Sequence, residues 1–224
     1  MTIASASFVG KVQAASMVVI GICGALIVIA LFRPPPKRAM PQELKEYNER
    51  TWASMTKGGS HLGQASAPHT MVVFTDYECA ACQNYHLLLR GVESQLGDKL
   101  RIIVRHYPLR AIHPSSTGAA VAAACADVQG AFVAAHYALT NALEAQKALD
   151  LTAVADSARI KDKEAFRSCM ASQQMTAALA EDIRLGDELG IRQLPAVYID
   201  GQRSPFPPSA ATIALRIAPK SAAK

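Results

Sequence analysis

The residues best suited to chemistry are Cys79 and Cys82, two thiols separated only by Ala80 and Ala81 in FTDYECAACQNYH (residues 74–86). A C-x-x-C pair serves several chemistries with different demands. Attachment of a c-type haem needs histidine directly after the second cysteine, where this chain has Gln83. Structural zinc needs four ligands. There is no second C-x-x-C, Cys125 and Cys169 are distant in sequence, and His86 is the nearby histidine. Two unrelated buried thiols are the plain alternative. A redox dithiol fits the surroundings best. One thiolate attacks or is attacked to give a mixed disulfide with a substrate, and the second thiol resolves it.

The flanking elements must place these sulfurs. TMVVFT reads as a short buried strand, and CAACQNYHLLLRGVESQL as a helix with Tyr85, Leu88, Leu89, Val92 and Leu96 at helical spacing. Cys79 then falls at the helix start, where unpaired backbone N–H groups and the helix dipole favour negative charge. Cys82 lies one turn further in. LRIIVRHY reads as a second strand, so strand, helix and strand form a βαβ unit with a partly parallel sheet. From Ser115 to about Gly190 alanine is abundant and proline absent. This stretch predicts helices, one or two across AAVAAACADVQGAFVAAHYALTNALEA, followed by DLTAVADSARI and DKEAFRSCMASQQMTAALAEDIRLGDEL, each opened by a capping aspartate. LPAVYIDG is a third strand, and SAATIALRIA a closing helix. QELKEYNERTWASM is a helix with Trp52 docking it, and GGSHLGQASAPH a loop.

The chain has 224 residues, half of them apolar, enough for one well-buried domain and an appendage. Its formal charge of +5 is concentrated in front. The first forty residues carry Lys11, Arg33, Lys37 and Arg38 and no acid, leaving 19 Lys+Arg against 18 Asp+Glu elsewhere. No dense basic cluster supports a nucleic-acid partner. Val12–Phe32 is uncharged over 21 residues, long enough to cross a bilayer as a helix. It predicts a single-pass membrane anchor in preference to a cleaved leader, because RPPPKR follows without a small-x-small site. Cys23 within it is an apolar filler. The basic flanks favour a cytoplasmic domain by the positive-inside rule.

Three stretches, GQASAPHTMVVFTDYECAAC, RIIVRHYPLRAIHPSSTGAAVAAACADVQGAFVAAHYAL and DELGIRQLPAVYIDG, taken together and in order, resemble the DsbA-like thiol–disulfide oxidoreductases of the thioredoxin superfamily in their membrane-anchored bacterial form. The resemblance implies an α/β thioredoxin fold with a large helical insertion, preceded by an N-terminal transmembrane helix. The parts are an anchor (1–33), linker and N-terminal helix (34–65), first part of the fold with the C-x-x-C (66–114), helical insertion (115–190) and second part with a cis-proline loop (191–224).

The resemblance further implies Cys79 as nucleophile, Cys82 as resolving cysteine and Pro195 as a cis-proline facing them, with the backbone of Leu194 pairing with an extended substrate. It implies a structural disulfide between Cys125 and Cys169, no cofactor and no resident metal. The expected partners are reduced client proteins and a membrane-embedded, quinone-linked reoxidising protein. The expected location is the bacterial inner membrane with the catalytic domain facing the periplasm or cell exterior, opposite to the flank-charge reading. Two departures stand out. Ala80 and Ala81 replace the proline and histidine found in relatives, and Leu194 replaces threonine or valine. Without a cation between the cysteines, and with Glu78 beside them, the thiolate is less stabilised and the pair a weaker oxidant than DsbA. A reductase or isomerase using the same site, and a tethered metal-binding or chaperone module, are the competing functions. His106, His113 and His136 read as structural.

Overall fold

The computed structural model describes residues 47–144 and 149–218. The predicted anchor Val12–Phe32 and the linker after it lie outside the described residues. Among the described residues no helix is long and apolar enough to cross a membrane.

The elements run α1 (Glu49–Thr56), β1 (Ser60–Leu62), β2 (His69–Thr75), α2 (Ala80–Leu96), β3 (Leu100–His106), α3 (Ser116–Val128), α4 (Phe132–Glu144), α5 (Leu151–Ser157), α6 (Lys163–Met170), α7 (Gln173–Glu188), β4 (Ala196–Ile199), β5 (Gln202–Arg203) and α8 (Ala210–Arg216). The five strands among the described residues form one sheet in the order β1-β3-β2-β4-β5. β2 pairs with β3 in parallel and with β4 antiparallel, so that Val73 lies beside Val104 on one side and Val197 on the other. The parallel pair requires a crossover, and α2 provides it.

Successive strand side chains point to opposite faces, and both faces are covered. Met71, Val73, Ile102, Val104, Val197 and Ile199 face a cluster shared with α2, α8 and the insertion helices α3 and α4. Val72, Phe74, Ile103 and Tyr198 face Met55 of α1 and Leu185 of α7. Within α2, Tyr85, Leu89 and Val92 are buried at helical spacing. Trp52 packs partly buried against the α1 side of the sheet. The Arg105 guanidinium fastens α1 further, donating to the carbonyls of Met55 (3.1 Å) and Ser54 (2.9 Å) while pairing with Asp182 of α7 at 2.6 Å.

The helical block lies between β3 and β4. Asp150 and Asp162 accept from backbone N–H groups at the starts of α5 and α6. Gly130, at φ 68°, separates α3 from α4 in a conformation that suits glycine. Two expectations differ from the structure. The helix predicted from Asp162 onward is two helices, since α6 follows α3, to which Cys169 is bonded, while α7 continues to the opposite face of the sheet. GGSHLG, read as loop, contains β1, antiparallel to β3 at the sheet edge. The Cys125–Cys169 disulfide, with Cα atoms 5.8 Å apart, ties α3 to α6 across a sequence separation of 44.

Candidate active site

β2 ends at Thr75, and the turn Asp76–Glu78 leads into α2 with Cys79 as its N-cap residue. The buried Asp76 carboxylate organises this turn. One oxygen accepts from Glu78 N (2.8 Å), and the other from Leu109 N (2.7 Å) and from His113 Nδ1 (2.8 Å). The turn is thereby locked to the segment entering α3. Cys79 is partly exposed and Cys82 buried, and both are free thiols.

The environments of the two sulfurs push their acidities apart. Cys79 is lowered to about 6, first by the hydrogen bond from the Cys82 thiol, then by the backbone N–H groups of Cys82 and Ala81, against burial and the Asp76 charge. Cys82 is raised, by its partnership with Cys79 and then by burial. One thiol is therefore poised to ionise near neutrality while its neighbour keeps its proton. Sequence reasoning assigns the opposing charge to Glu78. The structure assigns it to Asp76, because the Glu78 carboxylate accepts from Ser115 N at 2.7 Å.

Behind Cys82 runs a buried polar chain that the sequence does not reveal. The Thr75 hydroxyl meets Cys82 and lies 2.7 Å from His86 Nε2. His86 Nδ1 is 3.1 Å from His136 Nε2, and His136 Nδ1 is 2.8 Å from the Tyr77 hydroxyl. Burial lowers His86 to about 3 and His136 well below the ordinary histidine range, so both rings are neutral near pH 7. His106 packs against the Tyr77 ring at 5.6 Å. Of these residues, only Asp76 leaves any trace in sequence, as an acid three places before Cys79. The histidines arrive from β3, α2, α4 and the loop before α3, so their convergence depends on tertiary structure.

The Leu194–Pro195 peptide bond is cis. Leu194 and Pro195 face the first turns of α2 across an open cleft of about 400 Å³, to which Ala81 of the redox pair also contributes. Cys79, Cys82, Leu194 and Pro195 thus belong to one end of the sheet, whereas Cys125 and Cys169 belong to the insertion. Among the described residues, no group of three His, Cys, Asp or Glu side chains is placed to hold a metal ion.

A parallel strand pair crossed over by a helix that opens on two cysteines, joined to an antiparallel strand preceded by a cis-proline, defines the thioredoxin class. The profile described as Thioredoxin matches residues 55–215, and the chain belongs to that family. It is 30% identical over 141 residues to the Na(+)/H(+) antiporter NhaA 1 of Salinispora arenicola, in a match covering 63% of this chain and 21% of the antiporter. The chain thus spans about a fifth of that relative's length. A thioredoxin-like oxidoreductase from Silicibacter pomeroyi superposes with a TM-score of 0.63 at 23% identity, covering 76% of this chain and 96% of that one. The thiol–disulfide exchange protein alpha-DsbA2 of Wolbachia pipientis does so with a TM-score of 0.63 at 15% identity, covering 75% and 90%. The fold is that of DsbA-like members of the thioredoxin superfamily.

Proposed function

We propose that the chain is a thiol–disulfide oxidoreductase that passes a disulfide from Cys79–Cys82 to secreted or envelope proteins. The observation that carries this reading is the split between the two thiols, a partly exposed Cys79 lowered to about 6 and a buried Cys82 raised behind it. In the oxidised form a client thiolate attacks the Cys79 sulfur. The Cys79–Cys82 bond breaks and Cys82 leaves, taking a proton. A second client thiolate then attacks the client sulfur of the mixed disulfide and expels Cys79, whose low pKa makes it a good leaving group. The client loses two electrons and two protons, and the Cys79–Cys82 pair ends as the dithiol. Leu194 and Pro195 form the wall along which the client lies, with the Leu194 backbone offering its hydrogen bond.

In this reading Val12–Phe32 anchors the chain in the bacterial inner membrane, the domain faces the periplasm or cell exterior, and a quinone-linked membrane protein reoxidises the pair. The Cys125–Cys169 bond supports an oxidising compartment. The reductase or isomerase reading draws on the absence of a cation between the cysteines, since Ala80 and Ala81 offer no charge to the thiolate. The test is a reduced two-cysteine peptide mixed with the oxidised chain. The peptide should become oxidised, Cys79→Ser should abolish the reaction, and Cys82→Ala should accumulate mixed disulfides. Undiminished oxidation by the Cys79→Ser protein overturns the reading.

A further inference from the structure

The cleft between α2 and the Leu194–Pro195 loop has an uneven chemistry. Leu88, Leu194, Pro205 and Phe206 make its walls apolar, and the Phe206 side chain stands largely in solvent. Its one charged lining residue among those described is Arg203, on the edge strand β5. No carboxylate lines the cleft, and no carboxylate pairs with Arg203 among the described residues. Arg216 adds to the same sign. Its guanidinium donates to Ser204 Oγ at 2.8 Å, and its charge reaches the Tyr85 hydroxyl on the cleft wall. Tyr85 is itself buried, and its hydroxyl has no hydrogen-bond partner among the described residues.

Three arginines elsewhere in the fold are held by carboxylates. Arg105 is bonded to Asp182, Arg167 to Glu164, and Arg184 to Glu181 and Glu188. On the other flank of the redox pair the carboxylates of Asp76 and Glu78 are held by the loop before α3, which also carries the exposed Arg110. A chain reaching Cys79 across the cleft therefore passes a cation set in apolar surface.

Resting on the oxidoreductase reading, we propose that this cleft selects clients whose reactive cysteine is flanked by a carboxylate, with Arg203 as the selecting residue. Ala81, inside the redox pair, lines the same cleft as Arg203. An extended chain advances about 3.3 Å per residue, so the residues within reach are those close to the client's cysteine. The apolar walls take the aliphatic part of a glutamate or aspartate side chain and partly exclude water, which strengthens the charge pairing relative to open surface. Like-charged clients are disfavoured by the same cation, so the discrimination has an attractive and a repulsive part. At a semi-exposed site an effect of about fivefold is the expected scale.

The test uses two reduced peptides of identical composition, each with two cysteines. One carries glutamates beside the first cysteine and lysines at its far end; the other reverses them. Equal net charge removes any effect of the protein's overall charge. A third peptide has glutamine at all those positions. With the full oxidised chain at low salt, the peptide with glutamate beside cysteine should be oxidised about fivefold faster than its isomer. The ratio should approach one in Arg203→Gln, invert in Arg203→Glu, persist in Arg203→Lys and shrink as salt is raised. Taking ratios within each variant cancels any general change in reactivity. Equal rates for all three peptides with the unaltered protein, or a ratio that survives Arg203→Glu, overturns the charge selection alone. A glutamine peptide that stays reduced overturns the oxidoreductase reading, and this inference with it.

Discussion

The molecule contains two pairs of cysteines built for opposite ends. Cys79 and Cys82 are separated by two residues and remain thiols, one at a helix N-terminus within reach of solvent and the other buried against Thr75. Cys125 and Cys169 are 44 positions apart and are joined, with Cys125 fully buried among the alanines of α3. The difference lies in what surrounds each sulfur. The first pair meets a thiol donor, backbone N–H groups and a nearby carboxylate, so its charge state is adjustable. The second meets close-packed small side chains, where a thiolate has little to stabilise it.

This contrast can be broken most forcefully at the insertion. Replacing Cys125 and Cys169 together with alanine should lower unfolding free energy by about 4 kcal/mol, from the loop of some 44 residues released in the unfolded chain. Denaturant titration measures that loss. Thiolate absorbance should still show Cys79 titrating at about 6. A shift of that titration would mean the two pairs are not separable.

The next effect belongs to the redox end and to the α4 histidine packed against it. His86 titrates at about 3 in the folded chain and near 6.5 when unfolded, so between those values the unfolded state binds the extra proton. The stability that neutral His86 contributes is complete above about pH 6.5 and drains away as pH falls toward about 3, at up to about 1.4 kcal/mol per pH unit, with His136 acting in the same direction. Melting curves at pH 7.5, 5 and 4 follow it. In His86→Gln that acid sensitivity should diminish, and a slope unchanged by the substitution would refute the assignment.

The smallest effect sharpens the comparison further. With the Cys79 thiol lowered only to about 6, the dithiol is less stabilised than in DsbA, and the reduction potential should fall at about −150 to −220 mV. Asp76→Asn removes the charge opposing the thiolate. It should therefore lower the Cys79 pKa and move the potential to less negative values. Equilibration with a glutathione buffer reads both, and a value at or above about −120 mV in the unaltered protein contradicts the tuning by Ala80 and Ala81.

Legibility in the sequence followed the range of the interactions. β2, α2 and β3 are readable because β-branched runs and the Tyr85–Leu89–Val92 spacing are local patterns backed by burial. β1 and β5 are not, being three and two residues long; β1 is held by β3, distant in sequence, and β5 by β4 across the short Asp200–Gly201 turn. Position 79 as a helix start is a local property. The Asp76–His113 contact and the Thr75–His86–His136–Tyr77 chain join residues up to 59 apart, and nothing in the spacing of those histidines distinguishes them from packing residues. The break between α6 and α7 was hidden for the same reason, since it answers to where Cys169 and Leu185 must go rather than to a local breaker.

The brevity of the outer strands has its own consequence. Long unpaired strand edges serve as templates onto which other chains zip and polymerise. Among the described residues the margins offer only Ser60–Leu62 and Gln202–Arg203, while the seven-residue strands β2 and β3 are sheltered inside the sheet. If the chain acts on unfolded polypeptides as proposed, this geometry offers them little backbone to stack upon, so they are free to depart once their sulfurs have been exchanged.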